Sequence, residues 1–332
     1  MVSKFSATLI RGFFSTIFLV TTSFSAFANE LPAVKVGVLK FGTVNWEMDV
    51  IKRHKLDEKA GFILDVTPLA SKNASSVALQ GDAVDVIFSD WVWVSRQRAA
   101  SKTYTLSPTS ATAGGLFAAG DITLSSPCDI EGKTLGIAGG AVDKTWLLYQ
   151  VFCEANEDKA ISELTEQQFV APPLLNKLMM QGKIPVGINF WHYGARLEAA
   201  GFQPIINLDQ IIAGLGIHTQ VPMLGWVFDE RWAQANPSLI SAFLRASAQA
   251  RALLHTSDKE WDAIRSLTKA ENDNVFEALK IAYRRGFSGT FGQAQKEAAS
   301  QIFTLLAKEG GPKLVGESTS LSEGTFWLPH PQ

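Results

Sequence analysis

The sequence predicts an α/β chain built as two similar lobes, and three observations carry that prediction. Short runs rich in Val, Ile and Leu alternate with longer segments of helical periodicity, the pattern of a parallel sheet covered by helices. The same strand and helix grammar returns about one hundred residues later in the chain. At 332 residues the chain is also longer than one hydrophobic core usually serves.

The first unit opens with a strand at Val34 to Leu39 and a polar loop. A helix follows from Asn45 or Trp46 to about Lys59, with Gly61 as its stop. A strand at Phe62 to Val66 leads to the turn Ser71-Lys72-Asn73, which is suited to cap a helix through Leu79, and then to a buried strand at Val84 to Phe88. In the second unit Leu135-Gly136-Ile137 echoes Val36-Gly37-Val38, and each is followed by a Gly-containing loop and a helix with Trp in its first turn, Trp46 and Trp146. Gln80-Gly81, strand, Ser89-Asp90-Trp91 is likewise echoed by Gln181-Gly182, strand, Phe190-Trp191-His192. Thr103 to Asp121, rich in small residues, is the expected first crossover between lobes, and Gly214 to Pro222 the second. A strand at Met223 to Phe228 and helices from Pro237 onward complete the chain. The expected divisions are 1–28 as a leader, 29–110 as the first part of lobe 1, 111–217 as lobe 2, and 218–332 as the return to lobe 1 with C-terminal helices.

Lys4 and Arg11 are the only charges before residue 30, and the apolar run from Gly12 to Val20 is too short to span a bilayer. It ends in small residues and Ala26-Phe27-Ala28, a site for signal cleavage that would leave Asn29 as the first residue. No cysteine lies there, which disfavours a lipoprotein. Later apolar stretches are all interrupted by charge. With 30 Lys+Arg against 32 Asp+Glu, the chain lacks a broad basic surface, so nucleic acid is not an expected partner. Cys128 and Cys153 are the only cysteines. In an oxidising compartment they form either one disulfide or two separate thiols, and with no further soft ligand nearby they do not suggest a metal site.

In parallel α/β sheets, ligands bind beyond the carboxyl ends of strands, where helix N-termini offer free N–H groups. Four such ends are Phe41 to Trp46, Ser89 to Trp93, Gly139 to Trp146 and Asn189 to Tyr193. They hold Trp46, Trp91, Trp93, Trp146 and Trp191 of the nine tryptophans, a concentration suited to closing over an organic molecule. Each tryptophan could equally pack on a neighbouring strand, and alternation would turn only one of Trp91 and Trp93 to a cleft, Trp91 being nearer the strand end. Asp143 is placed as an N-cap, with ligand contact as its lesser alternative. Asp90, a charge directly after a buried strand, needs a cation from a ligand or from the protein itself. His192 reads either as a hydrogen-bonding pocket group or as an ordinary half-buried imidazole. Gly132-Lys133-Thr134 lacks the glycine spacing of a phosphate loop, Gly136 to Gly140 lacks that of a dinucleotide fold, and Asn73-Ala74-Ser75 is explained by a turn and cap.

Val36-Gly37-Val38-Leu39, Gln80-Gly81-Asp82, Asp85-Val86-Ile87-Phe88-Ser89-Asp90 and Asp129-Ile130-Glu131-Gly132-Lys133-Thr134-Leu135-Gly136-Ile137 together resemble the substrate-binding proteins of ABC transporters. Within that class the sequence is similar to the nitrate, sulfonate, taurine and thiamine-precursor group, over essentially the whole chain after the leader. Pro222 to Phe228 and the helix after Asn236-Pro237 extend the match. The resemblance implies a type II periplasmic-binding fold, two α/β lobes joined by two hinge crossovers with C-terminal helices. It implies ligand contacts from Thr43, Asn45 and Trp46, from Ser89, Asp90 and Trp91, from Gly139, Gly140, Asp143, Lys144 and Trp146, and from Trp191 and His192. The cysteine-rich motif of thiamine-pyrimidine relatives is absent, and no arginine cluster marks these loops. The expectation is a monomeric periplasmic receptor that needs no cofactor, closes over a small organic molecule of sulfonate, amine or pyrimidine type, and delivers it to a membrane permease. The competing expectations are a secreted enzyme built on Asp90, Asp143, Lys144 and His192, and a solute sensor docking on a membrane receptor.

Overall fold

The computed structural model describes Met1 and residues 30–111, 113–286 and 289–327. The leader read from residues 1–28 lies outside the described residues after Met1. From residue 31 onward the chain forms a single compact unit.

β1 (Ala33–Leu39), α1 (Val44–Arg53), α2 (Leu56–Ala60), β2 (Ile63–Leu69), α3 (Lys72–Gln80), β3 (Val86–Asp90), α4 (Trp91–Ala99) and β4 (Tyr104–Ser110) make the first half. β5 (Gly115–Ala118), β6 (Thr134–Ile137), α5 (Lys144–Glu157), α6 (Ile161–Leu164), β7 (Glu166–Phe169), α7 (Pro172–Met180), β8 (Val186–Asn189), α8 (Trp191–Ala199), β9 (Gln203–Asn207) and α9 (Leu208–Gly214) make the second. β10 (Leu224–Asp229) follows, then α10 (Glu230–Ala235), α11 (Pro237–Thr256), α12 (Asp258–Thr268), α13 (Asp273–Arg285) and α14 (Gln293–Val315), kinked at Gly311.

These strands form two five-stranded sheets with one topology, β2-β1-β3-β10-β4 and β7-β6-β8-β5-β9. In each sheet four strands run in one direction and are completed by one antiparallel strand that the chain inserts from elsewhere. β10 enters the first sheet between β3 and β4, and β5 enters the second between β8 and β9. The hundred-residue echo is therefore a repeated sheet. The chain passes from the first sheet to the second between Ser110 and Gly115 and returns between Asn207 and Leu224. The first passage lies within Thr103 to Asp121, most of which is strands β4 and β5; the second begins earlier than Gly214, with α9, and contains Gly214 to Pro222.

Several boundaries differ from expectation for local reasons. The helix after β1 does not run unbroken to Lys59, because Lys55 takes a left-handed conformation (φ 53°) that ends α1 and starts α2. β3 runs on to Asp90, and Trp91 and Trp93 stand on the first turn of α4, so strand alternation does not govern them. Gly61 closes α2 and Ser71 caps α3 through a bond from the Ala74 N–H at 3.1 Å, both as read.

The C-terminal helices bind to both halves. α11 and α12 pack on α1, α13 on α8, and α14 on both α4 and α5. A buried polar network pins α1 to this layer: Glu47 accepts from Ser247 at 3.3 Å and from Tyr283 at 3.3 Å, while Ser247 accepts from the Trp226 indole N–H at 2.7 Å. Burial raises the Glu47 carboxyl despite the Arg251 guanidinium beside it. Cys128, in the loop before β6, is bonded to Cys153 on α5, with Cα atoms 5.7 Å apart. Among the described residues no helix is long and apolar enough to cross a membrane, and no three His, Cys, Asp or Glu side chains converge as metal ligands.

Candidate functional site

The carboxyl ends of β1, β3, β6 and β8 converge on one cavity of about 210 Å³ between the two sheets. The first half supplies Thr43, Lys72, Ser75, Phe88, Ser89 and Asp90 to its wall. The second supplies Asp143, Lys144, Thr145, Phe190, Trp191 and His192. Its back is formed where the chain crosses between sheets, by Ala113, Gly114, Leu208, Met223 and Leu224. Gly114 belongs there because a Cβ at that position would stand 2.6 Å from the Asn189 carbonyl oxygen.

Helix starts surround the cavity, and they differ in how they are finished. α1 and α8 begin at Thr43 and Phe190 with no side-chain cap. α4 and α5 are capped by carboxylates. Asp90 accepts from the Trp93 N–H at 2.9 Å, and Asp143 accepts from the N–H groups of Thr145 and Trp146 at 3.0 and 3.1 Å. Uncapped N-termini favour a polar or anionic group, whereas the carboxylate caps cancel that preference at α4 and α5.

Among the described residues, one ion pair spans the cleft. Lys144 Nζ, at the start of α5, donates to Asp90 Oδ2 at 3.1 Å, at the end of β3. Burial alone would raise the Asp90 carboxyl, but the Lys144 and Lys72 ammonium groups and the Trp93 N–H hold it below the usual range. Asp143 moves the other way, because burial outweighs its two backbone bonds and the same two lysines. Lys72 crosses the cleft as well, its ammonium 5.5 Å from the centre of the Phe190 ring. Burial, with the Arg196 guanidinium one turn on, pushes His192 down to about 3, so its imidazole is neutral, and its Nδ1 is buried without a hydrogen-bond partner among the described residues.

Of the residues singled out from the sequence, Thr43, Ser89, Asp90, Asp143, Lys144, Trp191 and His192 stand on the cavity wall. The others are elsewhere. Asn45 faces back into its own turn, donating to the carbonyls of Leu39 and Gly42 at 2.8 and 2.7 Å. Trp46 is buried among Trp191, Trp261 and Tyr283, behind the wall. Trp91 is fully buried against Phe303 and Phe326, and Trp146 is buried beside Tyr149, so both belong to the core under α14. Gly139 and Gly140 have positive φ and form the turn before α5. Gly139 also makes room for Asp143, since a Cβ there would meet its Oδ2 at 2.7 Å. The expected tryptophan box thus reduces to Trp191 with Phe88, Phe190 and His192.

Lys72 and Ser75 were not among the expected site residues. They follow the carboxyl end of β2, a fifth parallel strand end to which the same placement rule applies. A smaller cavity of about 150 Å³ shares Ala113, Gly114, Trp191 and Leu208 and extends along β9 to Glu198 and Asp209. It lacks the converging helix starts of the larger one.

No protein-family model matches the sequence, and no curated protein matches it. Solved structures do match. The periplasmic aliphatic sulphonate binding protein SsuA from Escherichia coli superposes with a TM-score of 0.69 at 14% identity, over 89% of this chain and 97% of that one. The alkanesulfonate-binding protein SsuA from Xanthomonas axonopodis pv. citri, bound to MOPS, gives 0.65 at 14% identity, over 90% of this chain and 99% of that one. The desulfurization enzyme DszB gives 0.53 at 13% identity, over 84% and 92%. The fold expected from the motifs is the fold found: two α/β sheets of like topology joined by two crossovers, with C-terminal helices, the type II architecture of periplasmic binding proteins.

Proposed function

We propose that this protein is an exported receptor of an ABC importer, which shuts its two lobes over a small organic solute and presents it to a membrane permease. The observation that carries this reading is the cavity itself. It lies between the two sheets at five strand ends, and its wall is drawn from both halves and from both crossovers. Such a site is completed only when the halves come together, which is the property a capture protein needs. The lobes are residues 29–110 with the return from 218, and 111–217, after removal of the leader at Ala28. The compartment is the periplasm and the working form a monomer. A sensor role at a membrane receptor would use the same closure.

DszB is an enzyme on this fold, so the fold by itself is neutral between binding and catalysis. The wall chemistry favours binding. Asp90 is held by Lys144, Asp143 caps α5, and among the described residues no hydrogen bond joins the His192 ring to Ser89 or Thr43 as a nucleophile would require. The test is a thermal-shift screen of the purified protein against sulfonates, carboxylates, amines and pyrimidines. A receptor gains several degrees in Tm with at least one class and returns that compound unchanged. No shift with any class, or chemical conversion of the bound compound, contradicts the reading.

A further inference from the structure

α8 follows β8 of the second sheet, yet it is packed from both halves. On one side Leu197 shares a cluster with Phe117 of β5, and a Cβ on Gly194 would stand 2.1 Å from the Phe117 ring. On the other, Trp191, Ala195 and Ala199, each one turn from the next, join the core that α11, α12 and α13 make with the first sheet. There Trp191 meets the rings of Trp46 on α1 and Tyr283 on α13, with centres 6.0 and 6.2 Å away. Arg196 fastens this second side. Its Nη2 donates to the Thr268 carbonyl at the end of α12 at 2.9 Å, its Nη1 to the His192 carbonyl at 2.8 Å, and its Nε faces the Glu271 carboxylate at 3.4 Å. The last carbonyls of a helix attract a cation, and the planar fork of a guanidinium can hold two of them at once. The clasp therefore joins the cleft wall to the turn between α12 and α13. That layer also reaches the first crossover, because the Ala111 N–H donates to the carbonyl of Gly286, directly after α13, at 3.2 Å. Ala282, Arg285 and Gly286 share the smaller cavity with Ala111 and Gly115 of the crossover and Glu198 of α8. Contacts beside a hinge move little when two halves turn, and contacts across the mouth move most.

Resting on the receptor reading above, we propose that Arg196 is a positioning residue that makes the joint between α8 and the α12–α13 layer the pivot of closure. The joint it clasps stays made while the halves turn, so Trp191 and His192 are carried as a fixed wall beside the axis. The Lys144–Asp90 pair, which joins the start of α5 to the end of β3 across the cavity, is the contact that parts.

The test is a cross-link. In the double variant Arg196→Cys, Glu271→Cys a short bis-maleimide ties the joint, and it finds no other thiol because Cys128 and Cys153 are bonded to each other. The probe is whichever sulfonate, carboxylate, amine or pyrimidine gives the largest thermal shift, at saturation. In small-angle scattering the tied protein loses as much radius of gyration on adding the probe as the parent protein does. A parent that contracts beside a tied protein that does not overturns the inference and leaves the receptor reading standing. Untied Arg196→Gln is expected to bind the probe about tenfold more weakly, the cost of ordering two freed wall side chains. Arg196→Lys, with a single ammonium in place of the fork, recovers part of that loss. Equal affinity in all three proteins overturns the positioning role. A parent that shows no thermal shift with any class, or no contraction, overturns both readings.

Discussion

Asp90 concentrates the chemistry of the cleft in one side chain. It ends a buried strand, caps the next helix and accepts a lysine from the opposite sheet. The sequence already showed that a charge in this position needs a counter-ion, but two sources were open, and only the three-dimensional approach of Lys144 decides between them. Lys144→Gln strands the carboxylate and is expected to cost about 2 kcal/mol in urea unfolding. Adding Asp90→Asn, which keeps the cap to Trp93, is expected to recover part of that loss; a double variant no more stable than the single one would deny the pairing. The tryptophans were the least legible residues. Trp46 and Trp146 hold the same place in α1 and α5, one turn from the cavity, and both side chains turn into the core. Position near a strand end fixes the backbone near a ligand but leaves the ring free to choose the larger apolar contact, and for Trp91 that contact is with Phe303 and Phe326, more than two hundred residues away in sequence.

At the scale of elements, local signals read well where one residue dictates the geometry. Ser71 caps α3, Gly61 ends α2, and Pro237 opens α11. The break at Lys55 was not legible, because a lysine in a left-handed conformation has no sequence signature. The disulfide is an element-scale constraint as well. It ties the loop before β6 to the middle of α5, the helix whose first turn presents Asp143 and Lys144 to the cleft. The bond closes a loop spanning a sequence separation of 25 residues. On the chain-entropy account such a loop is worth about 3 kcal/mol. Replacing both cysteines by serine is expected to lower Tm by several degrees while leaving the relative affinities of ligands in order. An unchanged Tm would mean that the packing of α5 on α9 and α14 holds that helix without the bond.

Over the whole molecule, the repeated sheet was visible as a repeated phrase, since both halves place strand, glycine loop and helix at a common offset. The exchange of antiparallel strands was not visible. β5 and β10 each lie in sequence beside one sheet and complete the other, a pairing settled by long-range contacts that no local pattern encodes. That exchange makes the crossovers the covalent links between halves. It also places Gly114 and Leu224 at the back of the cleft, where a small rotation would widen or narrow it. The C-terminal helices constrain that rotation, because α13 rests on α8 and α14 on both α4 and α5. Closure over a solute is the central claim, and small-angle X-ray scattering on the purified protein, with and without a saturating compound from the thermal-shift screen, tests it most directly. The account predicts a smaller radius of gyration and a shorter maximum dimension with the compound bound. Saturating binding with identical scattering curves would contradict it.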